Sequence, residues 1–288
     1  TVNTININGN GKDSFRWESN LVFDSNTNKL VELFGPDHDG NEADDITNAT
    51  TYGYDSYVCL QVGRPIGAGY DYKLLGVFQS QDEIDNYKSS DGTVIMPNAK
   101  PGDYKFEDYN NDGKIDANDR HYVGSPDPLF TLNFGNTLSW KNFSLYFNFR
   151  WAQGDKNHFL WCNPNGHQSN FGSGAQLADS KPWTEKNHST TVARYGYQNT
   201  LGYNFWENRS FLKLKDLSFS YTFDQNFIKK VGLSNARVYV AATDLFTITK
   251  WSGLDPENGG TIASNSASDK YGSNGTYKTV TFGVNLTF

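Results

Sequence analysis

The residues of this sequence that are best suited to chemistry lie in one acidic stretch, residues 108–119. Oxygen-bearing side chains occupy its first, third, fifth, ninth and twelfth positions, and a glycine, Gly113, occupies the sixth. Calcium takes about six to eight oxygen ligands, and a sharply turning loop with this spacing brings alternate side chains around the ion. The spacing predicts a calcium loop whose ligands are Asp108, Asn110, Asp112, the backbone carbonyl of Lys114, Asp116 and Asp119.

Details of this loop favour a structural ion over a sensor. Ile115 is expected to pack inward and anchor the loop. Asp119 replaces the usual glutamate and reaches less far, which predicts a weaker affinity. No flanking helices can be read, so the expected role of the ion is to pin a long loop. An Asp- and Asn-rich turn that binds no ion is the alternative that stays open.

No other stretch has the spacing of a catalytic or metal site. The five histidines are scattered, and Cys59 and Cys162 lie far apart in the sequence. The chain also lacks the Gly-x-Ser-x-Gly pattern of a nucleophile elbow. We therefore predict that the protein is not an enzyme.

The composition excludes several classes of protein. The 288 residues include 25 Lys and Arg against 32 Asp and Glu, a net charge of −7, so a nucleic-acid-binding protein is not expected. No apolar run is long enough for a membrane-spanning helix. Two cysteines are too few for a disulfide scaffold, and 7 Trp, 17 Tyr and 20 Phe argue against disorder. A β-rich chain remains, and its mean hydropathy of −0.66 is compatible with a membrane barrel whose strands alternate.

Apolar and polar residues alternate along several stretches, as in strands with two different faces. Residues 130–138 and 143–149 alternate on either side of a short turn at 140–142, which predicts a hairpin. The stretches 14–23, 57–63, 211–223 and 237–242 alternate less regularly, and a slip of parity between Leu214 and Leu217 predicts a bulge. The pattern of residues 225–231 weakly favours a helix. We count about eight or nine strands of this kind.

The end of the chain alternates most clearly. Val280, Phe282, Val284, Leu286 and Phe288 share one parity, and Thr, Gly and Asn fill the other. One face of this strand is therefore expected to be apolar throughout. A chance aromatic residue at the end of an edge strand is the alternative for Phe288.

Two all-β architectures fit this alternation, a soluble β-sandwich and a transmembrane barrel. The connections are very unequal, because 24–29 and 140–142 are short whereas 79–127 and 152–207 are long. Short turns at one end and long loops at the other are typical of outer-membrane barrels. We therefore favour an antiparallel transmembrane barrel over the sandwich.

Aromatic residues are frequent in the long 152–207 region, among them Trp161, Trp183, Tyr195 and Trp206. They could stack against the sugar rings or peptide side chains of a cargo. They could equally pack the loops or form an aromatic girdle. The sequence leaves both interpretations open.

Nine segments, in order along the chain, carry a family resemblance. They are VGRPIG at 62–67, GVFQSQDEI at 76–84, KPGDYKFED at 100–108, VGSP at 123–126, WTEKN at 183–187, SFLKLKDL at 210–217, TDLFT at 243–247, GLDPE at 253–257 and TFGVNLTF at 281–288. Together they resemble the C-terminal part of the SusC/RagA family of TonB-dependent outer-membrane importers. Lys213 stands where this pattern usually has Arg, and Asp244 where it usually has Asn.

The resemblance implies a 22-stranded barrel with an N-terminal plug, a segment that contacts TonB and a SusD-like lipoprotein lid. No plug or TonB-contacting motif is visible, so residues 1–288 are expected to be the C-terminal barrel segment, with two extracellular insertions at 79–127 and 152–207. Open strand edges are very costly in lipid, so we expect the other barrel strands to come from elsewhere. The resemblance also implies that Phe282, Val284, Leu286 and Phe288 form the signal read by the barrel-insertion machinery.

The expected function is therefore import of oligosaccharides or peptides across the outer membrane of a Bacteroidota bacterium. Calcium is the expected structural ion, and the expected partners are TonB, the lipoprotein and the rest of the barrel. The main alternative is a secreted, calcium-stabilised β-sandwich that binds glycans. A weaker third reading, an outer-membrane enzyme, has no catalytic constellation behind it.

Overall fold

A computed structural model describes residues 1–9, 11, 13–33, 45–46, 60–66, 68–125, 127–154, 156–158, 181–203, 206–251, 255–258 and 276–288. Its elements, in chain order, are β1 (Val2–Asn8), β2 (Phe15–Asp24), β3 (Asp45–Ile46), β4 (Leu60–Gln61), β5 (Gly69–Asp71), β6 (Leu74–Val77), α1 (Gln81–Asn86), β7 (Tyr104–Phe106), β8 (His121–Gly124), β9 (Phe130–Trp140), β10 (Phe143–Gln153), β11 (Lys156–His158), β12 (Trp206–Asn208), β13 (Phe211–Thr222), α2 (Gln225–Ile228), β14 (Asn235–Thr249) and β15 (Thr279–Thr287). Short 3-10 turns occur at Ala117–Asp119, Lys229–Val231 and Pro256–Asn258.

Seven long strands form one antiparallel sheet in the order β1-β2-β9-β10-β13-β14-β15. Neighbours in the sheet follow one another in the chain once the long insertions are set aside. In the chain, β1 continues to β2, β9 to β10 and β13 to β14 at one end of the sheet, and β2 leads to β9, β10 to β13 and β14 to β15 from the other end through longer connections. The short turn predicted at 140–142 is confirmed, whereas the short turn predicted at 24–29 is wrong, because that segment begins the long connection between β2 and its sheet neighbour β9.

Cross-strand pairing carries each face of the sheet from strand to strand. On one face, Phe15, Trp140, Phe143 and Tyr221 are aligned in turn. On the other face, Asn133, Arg150, Lys213 and Thr247 are aligned. Large side chains of the first face are exposed, namely Phe15, Phe23, Trp140, Phe143, Trp151, Phe219, Phe246, Ile248 and Phe282. Water-exposed apolar rows of this extent are unusual, and lipid is a solvent that suits them.

One row interrupts the apolar face with polar side chains. Ser19 pairs with Asn136, and Asn136 pairs with Phe147 on the next strand. The Oδ1 atom of Asn136 accepts hydrogen bonds from Trp17 Nε1 and from Ser19 Oγ, each at 2.9 Å, and the residue is 2% exposed. A polar group on a lipid-facing surface is costly unless it is hydrogen-bonded, and these donors meet part of that requirement.

The predicted bulge is confirmed. The β10–β13 register shifts between Asn148 and Phe149, and the β13–β14 register shifts between Leu214 and Asp216. Opposite this point Asp244 has a φ of 52°, a left-handed conformation that is uncommon for a residue other than glycine. Because of the bulge, the apolar positions of β13 change from even to odd numbers, and apolar side chains stay on one face along its whole length.

Other predicted elements compare as follows. The helix expected at 225–231 is confirmed as α2 and the 3-10 turn that follows it. The strand expected at 57–63 is described only at β4, and residues 57–59 lie outside the described part of the chain. The sequence did not predict α1 or β1. Ser80 begins α1 by accepting a hydrogen bond from the backbone N–H of Glu83, a capping signal that was readable in the sequence.

A β-sandwich requires two large sheets packed face to face. The described residues form one sheet of seven strands and four sheets of two strands each. This arrangement argues against the sandwich alternative. No helix in the described ranges is both long and apolar enough to cross a membrane.

Candidate functional site

Described residues of two long connections, the one between β2 and β9 and the one between β10 and β13, pack together. Their shared core contains Tyr72, Val77, Tyr104, Phe106, Ala193, Tyr197 and Tyr203. Tyr104 is fully buried and meets Tyr197 edge to face, with ring centroids 5.0 Å apart. Backbone bonding joins the insertions as well, because Arg194 N donates to the carbonyl of Gly102 at 2.7 Å. The insertions therefore form a packed body that can present a fixed surface.

The predicted calcium loop adopts the turn that its sequence requires. Gly113 has a φ of 87°, which permits the sharp change of direction. The Asp108 carboxylate accepts hydrogen bonds from the N–H of Asp112 at 3.1 Å and of Gly113 at 2.9 Å. Ile115 packs against the shared core, which confirms its predicted role as the anchor.

The far end of the loop closes back on its beginning. Asp119 is fully buried, and its two oxygens accept from Tyr109 N at 2.9 Å and from Asp116 N at 2.7 Å. Burial raises the pKa of the Asp119 carboxyl, against the opposing effect of these backbone N–H groups. Asp116 in turn caps the 3-10 turn through Asn118 N.

The carboxylates of the loop are not gathered around a common centre. Within the described ranges, no group of three or more His, Cys, Asp or Glu side chains is arranged to hold a metal. The ammonium of Lys114 hydrogen-bonds to Asp116 and lies 3.5 Å from an oxygen of Asp112. The loop thus has the backbone turn of a calcium loop, while its side chains bond to the chain itself. Calcium binding stays a prediction.

The four aromatic residues singled out from the sequence have different surroundings. Trp206 donates from Nε1 to Asp71 Oδ2 at 2.9 Å and packs against the shared core. Trp183 donates from Nε1 to Gln79 Oε1 at 3.1 Å and packs against the same core. Tyr195 is 64% exposed, and Trp161 lies outside the described residues. Two of the four therefore serve loop packing, and contact of any of them with cargo stays a prediction.

The polar face of the sheet carries a charge cluster that sequence reasoning missed. Lys213, in β13, is 1% exposed, and its Nζ donates to both carboxylate oxygens of Asp255 and to Glu257 Oε2, each at 2.9 Å. Lys215 lies 3.1 Å from Glu257 and 3.0 Å from Asp244. Arg150 reaches Glu257 at 3.4 Å from the neighbouring strand β10.

The members of this cluster lie in segments that carry the family resemblance, although nothing in the sequence shows that they meet. Three of the family-like segments, SFLKLKDL, TDLFT and GLDPE, supply its lysines and its acids. The two departures from the family pattern also meet here, with Lys213 Nζ 4.0 Å from Asp244 Oδ1. A departure at one position can be matched by a departure at the other when both side chains lie in one network.

The side chains predicted as an insertion signal lie on the last strand or directly after it. Phe282 pairs with Val240, Val284 with Val238 and Leu286 with Ala236, so the three continue the apolar face of β14. Phe282 is 80% exposed and Phe288, which follows β15, is 89% exposed. Nothing in this geometry tests recognition by insertion machinery, and that role stays a prediction.

Comparison with known proteins gives one consistent set of relatives. The TonB-dependent receptor P3 of Formosa agariphila is 30% identical over all of this chain, which spans 28% of the length of that receptor. The TonB-dependent receptor SusC of Bacteroides thetaiotaomicron is 23% identical over 84% of this chain and 22% of the receptor. The structure of the RagAB peptide importer in the open-open state matches with a TM-score of 0.64 at 22% identity, covering 96% of this chain and 27% of that chain. No protein-family model matches.

These relatives confirm the family resemblance found in the sequence, since the chain is similar to SusC and to other TonB-dependent receptors. The fold class is confirmed too, because the described residues form one large antiparallel sheet and the chain matches the RagAB importer structure with a TM-score of 0.64. Their names describe receptors and importers rather than enzymes, as the sequence predicts. The chain spans 28% of the length of the first relative.

Proposed function

We propose that this chain is the C-terminal barrel segment of a SusC/RagA-type TonB-dependent importer in a bacterial outer membrane. The observation that carries the proposal is the seven-stranded antiparallel sheet with one exposed apolar face and one polar face. In an outer-membrane barrel the apolar face meets lipid and the polar face lines the passage. The similarity to TonB-dependent receptors over the full length of the chain supports the same function.

Seven strands are too few to enclose a plug, because the diameter of a barrel grows with the number of its strands. In the proposal, strands outside this chain pair with β1 and β15, the outermost members of the sheet. Their pairing satisfies backbone groups that would otherwise face lipid unbonded. The N-terminal plug and its TonB-contacting segment supply the coupling to energy.

The packed insertions are proposed to face the outside and to meet a SusD-like lipoprotein together with the cargo. The position of the insertions supports this, because they lie at the end of the sheet opposite the short turns. The proposed cargo is an oligosaccharide or a peptide. Peptide import is what the name of the RagAB structure describes for that protein.

Uptake by the full-length protein tests this function. We would express it with its lipoprotein in cells that contain or lack TonB, and measure uptake of a labelled oligosaccharide mixture and of a labelled tryptic peptide digest. The proposal predicts that one of the two mixtures is taken up, and that this uptake occurs only in cells that contain TonB. Uptake that does not depend on TonB, or uptake driven by these 288 residues alone, would contradict it.

We also propose that residues 108–119 bind a structural calcium ion. The ligand spacing, the turn at Gly113 and the burial of Asp119 support this proposal. Binding requires the carboxylates of Asp112 and Asp116 to turn from Lys114 towards the ion.

Calorimetry of the full-length protein with calcium tests the ion. The proposal predicts binding at one site that is lost in the Asp108→Asn variant and kept in Asp91→Asn, an exposed acid outside the loop. A chelator is expected to increase protease cleavage within 100–125. Identical calcium binding by the wild type and the Asp108→Asn variant would refute the assignment.

A further inference from the structure

Residues 255–258 form a short turn, here named the inner turn, that lies against the polar face of the sheet. Asp255 and Pro256 are buried, and Pro256–Asn258 form one 3-10 turn. The turn belongs to the connection between β14 and β15, at the long-loop end. A loop that would ordinarily project into solvent is therefore folded onto the sheet at this point.

Lys213 makes the central contact with the inner turn. Its Nζ holds both oxygens of Asp255 and one oxygen of Glu257, which uses all three of its donors. The N–H of Glu257 also donates to Asp255 Oδ1 at 2.9 Å, so the two acids are held in a fixed mutual position. A lysine that is 1% exposed is tolerated when it is fully paired in this way.

A second layer of contacts surrounds this centre. Arg209, two residues before β13, donates from Nε and Nη2 to the carbonyl of Pro256 at 3.2 and 3.1 Å. Lys215 and Arg150 both reach Glu257, from β13 and β10. The turn of four residues is therefore bonded to two adjacent strands and to a residue that lies just ahead of one of them. Contacts to rigid strands fix a loop far more firmly than contacts among loops.

We propose that Lys213 is a positioning residue that clamps the inner turn to the polar face, so that the turn is a fixed part of the wall of the passage. The statement that this face lines a passage rests on the proposed function. The clamp itself rests on the contacts of Lys213, Asp255 and Glu257. In this arrangement the inner turn stays against the polar face at the long-loop end.

The clamp also depends on the charge of the side chain at position 213. Removing the lysine leaves Asp255 and Glu257 as close acids with less compensation, and a buried carboxylate without its partner is strongly unfavourable. An arginine retains the charge and offers a fork of donors to the same carboxylates. The clamp therefore predicts release in the Lys213→Met variant and retention in Lys213→Arg.

Hydrogen exchange of the full-length protein in detergent tests the clamp, measured on peptides that cover 250–260. The Lys213→Met variant is expected to exchange the backbone amides of the inner turn at least about tenfold faster than the wild type, since local opening sets these rates. Lys213→Arg is expected to stay within about threefold of the wild type. Lys73→Met, which removes a more exposed lysine bonded to Glu107, is the control and should leave the inner turn unchanged.

Wild-type exchange in Lys213→Met, or equally fast exchange in the Met and Arg variants, would overturn the clamp. If Lys213→Met fails to reach the membrane, Asp255→Asn and Glu257→Gln test the same contacts from the other side and carry the same expectation. Uptake separates this inference from the proposed function. If Lys213→Met exchanges faster but the wild-type protein never transports, only the proposed function is refuted. If the wild-type protein transports but Lys213→Met exchanges like the wild type, only the clamp is refuted.

Discussion

An arginine placed at Phe147 tests the lipid-facing assignment energetically. Phe147 lies on the apolar face of β10, between its cross-strand partners Asn136 and Leu217. It is four residues along the strand from Phe143, which directly follows the short turn. At about 3.3 Å per residue and a tilt of about 40°, this places Phe147 roughly 10 Å into an apolar band about 25 Å thick.

The expected cost follows from that depth. An arginine on the lipid face costs about 2–4 kcal/mol at the middle of the bilayer and about 0–1 kcal/mol near its surface. Phe147→Arg should therefore shift the folding equilibrium roughly 30- to 800-fold towards the unfolded state. Phe143→Arg, at the end of the strand, should cost little.

Asn148→Arg is the matched control on the polar face. Asn148 Nδ2 donates to Asp216 Oδ2 at 3.3 Å, so an arginine at this position meets a carboxylate and water rather than lipid. We would measure the free energy of unfolding of the full-length protein in phospholipid vesicles by guanidinium titration. Equal costs for Phe147→Arg and Asn148→Arg, or no cost for either, would refute the assignment of the two faces.

Two further predictions concern the loops. Burial raises the pKa of Glu257, but the hydrogen bonds and charges of the two lysines beside it outweigh burial and lower the pKa below its usual 4.5. A depressed folded pKa stabilises the protein fully above the unfolded value, so the protection of the inner turn, taken as the intrinsic exchange rate at the same pH divided by the observed rate, should decrease only as pH falls below 4.5; a transition near neutral pH would contradict this. Gly102→Ala places a methyl group 2.5 Å from the ring of Trp183 at a φ of 90°, whereas Gly92→Ala has a φ of 88° and open space. Thermal unfolding of the loops should show a larger loss for Gly102→Ala, by about 1–3 kcal/mol, and equal losses would exclude the clash.

The alternation of the strands was predictable because it is a local property. Side chains on a strand point to opposite faces in turn, so the parity of Phe143, Leu145 and Phe147 follows from their positions in the chain alone. The slip between Leu214 and Leu217 was readable for the same reason, and it proved to be the bulge of β13. The antiparallel order then follows from chain order, since consecutive strands pair.

The charge cluster was not predictable, because it depends on contacts far apart in the sequence. Lys213 and Asp255 are 42 residues apart, and nothing local indicates that the turn at 255–258 folds back onto β13. The surroundings of Trp183 and Trp206 were open for the same reason. An aromatic residue in a long loop is equally consistent with packing and with ligand contact until its neighbours are known. The structure places both of them against the shared core.

Lipid contact along β10 can be measured residue by residue. Single cysteines at positions 143–151 of the full-length protein, with Cys59 and Cys162 replaced by serine, would carry a fluorophore quenched by nitroxide lipids. A strand with one face in lipid predicts strong quenching at Phe143, Leu145, Phe147, Phe149 and Trp151, and weak quenching at Ser144, Tyr146, Asn148 and Arg150. Uniform quenching along the strand, or access of both sets to a water-soluble quencher, would contradict a strand with one face in lipid and the other on a passage.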